Sequence, residues 1–357
     1  MKIGVPKEIK DQEFRVGLSP ASVEVLKHNG HQVYIESGAG DGAGFSNQDY
    51  RDSGACILDN TEEIWQQEMV IKVKEPLPVE YPHLRSGCLL FTYLHLAANR
   101  RLTTRLLESG INAYAYESVE LADGRLPLLT PMSIIAGRLA VQFGARYLEK
   151  QQGGRGVLLS GIPGVASGEV VILGGGVVGT ESARIAVGMG ARVTVLDVNP
   201  DRLLYLETIF GSRVELILSN SVQIGAIVPK ADLLIGAVLL PGRKTPILVS
   251  RDLVKQMKAG SVIVDVAIDQ GGCIETLRTT SHSEPTYIEE GVVHYGVPNM
   301  PGAVPWTATQ ALNNSTLPYI LKLAQNKKDD PALSRGENVR EHQLIHPVLR
   351  EIFADLT

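Results

Sequence analysis

Cysteine is scarce: the 357 residues include three, Cys56, Cys88 and Cys273. The count is odd and no C-x-x-C or zinc-like spacing joins them. Free thiols in a reducing cytosol fit this better than a disulfide framework. Long apolar runs are missing too, since none approaches the roughly 18 residues that a membrane helix needs. The opening stretch from Met1 to Glu8 meets Pro6 and charged residues too early for the apolar core of a signal peptide. Charge of one sign is never concentrated. The formal net charge is −5, with acids and bases mixed along the chain and no basic block, which argues against a nucleic-acid partner. The sequence also lacks H-E-x-x-H, a carboxylate cluster and a cysteine-histidine spacing, so no catalytic metal is expected. These absences describe a soluble, cytoplasmic protein without membrane association.

What is present is organised around the stretch from Gly168 to Asn199. Val170 to Leu173 form a short apolar, β-branched run, as in a strand buried on both faces of a parallel sheet. Gly174, Gly176 and Gly179 follow at G-x-G-x-x-G spacing, and the next segment has helical periodicity up to Gly190. The glycines thus sit at a strand-to-helix turn. Bare backbone at Gly174 and Gly176 lets a pyrophosphate approach the amides of the helix N-terminus, while Gly179 lets helix and strand pack closely. A second strand, Val193 to Leu196, delivers Asp197. An acid at that distance can accept hydrogen bonds from the adenosine ribose and repel a 2′-phosphate, which favours NAD over NADP.

Length alone suggests two domains at about 150 residues each. In the first part, strands are expected at Lys2–Val5, Gln32–Ile35, Ala55–Leu58, Met69–Val73, Cys88–Leu94 and Asn112–Tyr116. Ser19-Pro20 should cap and open a helix ending near Gly30, and the glycine-rich loop 38–44 is taken as a connection. A helix opened by Thr130-Pro131 and reaching about Leu148 bridges to a second domain. That domain has strands at 170–173, 193–196, 214–218, 233–238, 261–266 and 292–295, six in all. After Pro305 a helical pattern runs to Leu323, with a kink expected at Pro318. A polar stretch, 326–340, leads to an amphipathic helix with Val348, Leu349, Ile352 and Phe353 on one side. The reading is α/β, with two Rossmann-like three-layer domains, the second a dinucleotide-binding, doubly wound parallel sheet. The boundaries expected are 1–129 plus 306–357 for a discontinuous substrate and catalytic domain, and 130–305 for the NAD-binding domain.

In such sheets ligands bind beyond the carboxyl ends of the strands. Arg15, Lys74, His95 and Asp269 all fall there. Together they suit a small acid. Arg15 can hold a carboxylate, and Lys74 can place positive charge beside a carboxylate or carbonyl oxygen. His95 can move a proton at neutral pH, with Asp269 activating water or balancing the imidazolium. Asp232 and Asp265, inside strand patterns, are read as structural.

The runs 1–10, 13–17, 72–76, 92–97 and 264–272 closely resemble NAD-dependent alanine dehydrogenase, the family that includes the transhydrogenase N-terminal region, over nearly the whole chain. The resemblance implies reversible oxidative deamination of L-alanine to pyruvate and ammonia by a cytoplasmic homohexamer. It also implies that Arg15 and Lys74 bind substrate and that His95 and Asp269 form the acid/base pair. Contacts to NAD would come from Ser133, Val177, Val178, Asp197, Arg202, Ser219, Val238, Leu239, Val266, Ala267, Ile268, Asp269, Arg278, Val297, Pro298, Asn299 and Met300. Two alternatives stay open on sequence: an NAD(H)-binding, transhydrogenase-like protein, and a dehydrogenase of another L-amino acid.

Overall fold

The computed structural model describes residues 1–238, 245–327 and 329–356, with residues 269 and 270 described by their backbone alone. By internal contacts these divide into two compact units, Met1–Met132 with Gly302–Thr357, and Ser133–Pro301. Each is an α/β unit built on one mostly parallel sheet, with helices packed around it.

In the first unit, β1 (Lys2–Val5), β2 (Gln32–Glu36), β3 (Cys56–Leu58), β4 (Met69–Ile71), β5 (Leu89–Thr92) and β6 (Asn112–Ala115) are parallel, in the order β6-β5-β4-β1-β2-β3. This is the doubly wound order, which reverses beside β1 and opens a crevice at the carboxyl ends of β1 and β4. β4 and β5 are apolar and buried at every position except Thr92, which is buried but polar, so both faces of the central sheet are covered. The first helix, Pro20–His28, begins as expected: Ser19 accepts from the Ser22 amide, and Pro20 occupies the first turn, where no amide is needed.

In the second unit, β7 (Glu169–Leu173), β8 (Arg192–Asp197), β9 (Val214–Leu218), β10 (Leu233–Gly236), β11 (Val262–Asp265) and β13 (Val292–Tyr295) are the six expected parallel strands. They repeat the same order, β13-β11-β10-β7-β8-β9. A seventh strand, β12 (Thr286–Glu289), pairs antiparallel with β13 at the edge. Its half-exposed Thr-Tyr-Ile-Glu carries no buried-strand signature, so the sequence does not announce it.

The carboxyl-terminal segment departs furthest from expectation. Helix Pro305–Ala324 continues through Pro318. The polar stretch holds helix Pro331–Gly336 and then β14 (Glu337–Arg340), which pairs antiparallel with β6 and with β15 (Gln343–Leu344). Buried Glu337 accepts from the Tyr114 hydroxyl at 2.9 Å and pairs with Arg340, so a polar strand enters the core with its charge answered. In the last helix, Pro347–Ile352, Leu349 and the following Phe353 are buried, whereas Val348 and Ile352 are exposed. The expected four-residue apolar side is therefore corrected to an i, i+4 pair, which one short helix can bury. Val339, Leu344, Leu349 and Phe353 join Leu90, Leu102 and Leu106 in one apolar core. The cysteines are free thiols, Cys88 and Cys273 buried and Cys56 exposed.

Candidate functional site

In the first sheet, the candidate substrate residues follow the carboxyl ends of β1, β4 and β5. Arg15 is buried. Its Nε donates to Glu13 Oε1 at 2.7 Å, its Nη2 to Oε2 at 2.5 Å, and its backbone amide to Oε1 at 3.1 Å. Nη1 lies 3.1 Å from Met132 Sδ. One edge of the guanidinium is thus committed to Glu13, which the sequence reading missed. A carboxylate two residues before an arginine has no distinguishing signal until burial forces the pairing.

Lys74 lies three residues past β4 and is nearly enclosed; its ammonium makes no ion pair among the described residues. Burial first, and then the Arg15 charge, hold it below the ordinary lysine range. Beneath it, fully buried Lys72 bridges Glu8 Oε2 at 3.2 Å and Glu80 Oε1 at 2.8 Å. Glu8 Oε1 accepts the amides of Val73 at 2.6 Å and Lys74 at 3.3 Å, fixing the strand end from which Lys74 projects. The sequence reading did not single out Glu8, Lys72 or Glu80; a charged residue in a strand run reads as a solvated face until its partners are seen.

His95 does not close a strand, since β5 stops at Thr92. It sits in the left-handed region at φ 49°, ψ 40°, ahead of a short 3-10 turn, Leu96–Ala98. Its side chain is 52% exposed, its ring stacks on Tyr93 at 5.9 Å and 5°, and its amide donates to Glu117 Oε1 at 2.6 Å. It is therefore no core histidine. Tyr93, whose hydroxyl donates to the Leu128 carbonyl at 2.6 Å, forms a fixed floor under the imidazole.

In the second sheet, most candidate cofactor residues follow the carboxyl end of a parallel strand: Gly174 after β7, Asp197 at the end of β8, Ser219 after β9, Val238 after β10, Val266 to Ile268 after β11, and Val297 to Met300 after β13. Arg278 joins them through its carbonyl, which lies 2.4 Å from the place a Cβ on Gly296 would take, just past β13; its guanidinium covers the Tyr287 ring at 4.3 Å. Ser133 lies early in helix Thr130–Tyr147. Ala267, Ile268, Val297 and Met300 are buried. Leu239 lies outside the described residues, as does the side chain of Asp269, whose backbone lies within the 3-10 turn Val266–Gln270. Asp265 caps that turn, accepting the amides of Ala267 at 2.8 Å and Cys273 at 2.7 Å, and Asp232 pairs with Arg155 and Lys258. Both acids hold structure.

The glycine turn has the properties a pyrophosphate requires. Gly174 has φ 99°, and a Cβ there would lie 2.7 Å from the Ala237 carbonyl; one on Gly179 would lie 1.8 Å from the Gly174 carbonyl. A Cβ on Gly176 would meet nothing within 4 Å, so open space lies over that residue. Helix Val177–Gly188 starts from Gly176 with no side-chain cap, unlike the helices that follow Ser19, Asn99, Asn199 and Asn220. Its first amides are left for an anion. Among the described residues no group of three or more His, Cys, Asp or Glu side chains could hold a metal ion, and no helix is long and apolar enough to cross a membrane.

The chain is similar to known proteins over nearly its whole length. Residues 4–136 match the alanine dehydrogenase/PNT N-terminal domain and residues 140–347 the C-terminal domain. The chain is 52% identical over 359 residues to alanine dehydrogenase 2 of Staphylococcus aureus (strain USA300), covering 99% of this chain and 96% of that protein. It is 57% identical over 345 residues to an alanine dehydrogenase of Methanococcus maripaludis, covering 95% and 92%. A solved L-alanine dehydrogenase structure superposes with a TM-score of 0.98 at 65% identity over 100% of both chains. A transhydrogenase from Sinorhizobium meliloti, at 23% identity and TM-score 0.85 over 97% of this chain and 99% of that one, shares the fold.

Proposed function

The chain belongs to the alanine dehydrogenase/PNT family, and on that premise we propose that it catalyses the reversible, NAD-dependent oxidative deamination of L-alanine to pyruvate and ammonia. The observation that carries this reading is the set at the carboxyl ends of the first sheet: a buried guanidinium at Arg15, an enclosed ammonium at Lys74 without a carboxylate partner among the described residues, and an exposed imidazole at His95. A small amino acid offers a carboxylate to the Lys74 ammonium, which has none among the described residues, and a carbon whose oxidation needs one base.

Under this reading Gly174, Gly176 and Gly179 leave room for the pyrophosphate, and Asp197 faces the adenosine ribose. Ser133, Val177, Val178, Arg202, Ser219, Val238, Leu239, Arg278 and the segments 266–269 and 297–300 complete the cofactor contacts. NAD, when bound, accepts the hydride from the substrate Cα. Arg15 and Lys74 hold the substrate carboxylate, with Lys74 also available to the oxygen that develops charge. The positive pair disfavours protonation of the substrate amine, which must lose its proton before Cα is oxidised. His95, assisted or replaced by Asp269, takes a proton from the water that adds to the imino carbon and returns one to nitrogen as ammonia leaves. The reading also carries a cytoplasmic homohexamer, which sedimentation velocity would test.

The direct assay follows NADH absorbance after adding L-alanine and NAD at alkaline pH, beside glycine, L-serine, L-lysine and NADP. Turnover confined to L-alanine and NAD is expected. Silence with every amino acid, while NADH still binds, would move the weight to a transhydrogenase-like role.

A further inference from the structure

We infer that Glu117 is a positioning residue for His95, holding the imidazole in a backbone conformation it would not otherwise keep and setting a negative charge beside it. The inference rests on the reading of His95 as an acid/base group. β5 and β6 are neighbouring parallel strands in register from Leu89 and Asn112 to Thr92 and Ala115. The chain therefore leaves the sheet twice at one level, once through Tyr93, Leu94 and His95 and once through Tyr116 and Glu117.

The Glu117 carboxylate reaches across this gap. Oε1 accepts the His95 amide at 2.6 Å, and the Leu94 amide lies 3.2 Å from Oε1 and 3.3 Å from Oε2. Two adjacent amides beyond the ladder are thereby paired with a charged acceptor, the stronger kind of hydrogen bond. His95 needs this support. At φ 49° it occupies a region unfavourable for a residue with a Cβ, and such outliers persist where their surroundings over-determine them. The same oxygen stands 4.0 Å from His95 Nδ1, so the group that fixes the backbone also faces the ring.

The other groups around this carboxylate leave His95 as the residue it serves. Tyr93, stacked beneath the imidazole, is pushed far above the phenol range by burial and stays neutral. Burial holds His346 below the ordinary imidazole range, against the opposing pull of Glu117 and Glu120. Glu117 is only 18% exposed, so its charge is not dissipated in solvent, whereas His95 faces outward where a substrate can be met.

The test compares Glu117→Ala, Glu117→Gln, His95→Ala and the double variant in the full chain, with L-alanine and NAD. Glu117→Ala is expected to lower kcat by about a hundredfold, the low end of what a well-placed acid/base group contributes, with NADH affinity changed less than about twofold. Glu117→Gln still presents an oxygen to both amides. It should keep kcat within about fivefold, because the conservative variant preserves the acceptor for both amides. In the His95→Ala background, Glu117→Ala should change kcat by less than about twofold, as expected for two residues acting as a unit. A full hundredfold loss in that background, near wild-type kcat for Glu117→Ala, or a loss in Glu117→Gln as large as in Glu117→Ala would overturn the inference. If Glu117→Ala does not fold, Glu117→Asp, whose shorter side chain withdraws the carboxylate from both amides, takes its place in the same comparison. Near wild-type turnover in His95→Ala would overturn the reading of His95 itself, a different outcome from loss through His95 that is indifferent to Glu117.

Discussion

Asp197 is tied to the glycine turn: its Oδ2 accepts the Gly175 amide at 2.6 Å, while its Oδ1 accepts the Asn199 amide at 2.8 Å. The acid at the end of β8 and the turn after β7 are thus one unit. Each carboxylate oxygen retains lone-pair capacity for a ribose hydroxyl. Beside them, Arg202 is bound through Nε to the Gly175 carbonyl and through Nη2 to Thr180 Oγ1 at 2.6 Å, with its guanidinium over the Tyr205 ring at 4.6 Å.

Removing the acid should therefore relax cofactor choice. Asp197→Ala deletes the charge that repels a 2′-phosphate and leaves the Arg202 guanidinium, a group suited to accept one. The ratio of kcat/KM for NAD over NADP should fall about tenfold or more, the equivalent of about 1.4 kcal/mol. Parallel initial rates with both cofactors check this, and an unchanged ratio would refute the ribose role.

The glycines should separate by experiment. Gly179→Ala forces a Cβ to 1.8 Å from the Gly174 carbonyl, so helix and strand must part, and loss of both thermal stability and NADH binding is expected. Gly176→Ala meets no atom within 4 Å and has an ordinary φ of −62°. It should leave Tm unchanged yet weaken NADH by about tenfold, because the new methyl occupies space reserved for phosphate. Thermal melts with fluorescence titration of NADH read both effects.

Lys74 should trade stability for function. Its lowered pKa means that folding favours the neutral amine. Protein stability from this group is complete only above about 10.5, the value of an unperturbed lysine, and is lost as pH falls towards the depressed folded value. At neutral pH the wild type carries the full penalty of a nearly enclosed ammonium. Lys74→Met should raise Tm by a few degrees at pH 7, with the gain shrinking as pH rises through that window, while kcat/KM for L-alanine collapses. A lower Tm at pH 7 would contradict this account of the charge.

Much of this was legible before any coordinates. The apolar runs 69–71, 89–91, 170–173 and 233–235 report strands covered on both faces, and Ser19-Pro20 announces a helix start through its cap. Gly174 to Asp197 could be read as a site because the chemistry of its turn is local. Glu13, Glu8 and Glu117 could not, since each acquires its meaning from a partner that only the fold brings near: a buried guanidinium, a strand end, a left-handed histidine. β12 and β14 escaped for the related reason that both are short strands of mixed polarity, β12 at the edge of its sheet and β14 between β6 and β15.

The account assigns oxidation chemistry to the strand ends of the first sheet and cofactor binding to those of the second, and His95→Ala separates the two. Its kcat/KM for L-alanine should fall by several orders of magnitude while NADH binds with unaltered affinity. Near wild-type turnover, or loss of NADH binding in step with activity, would contradict the assignment.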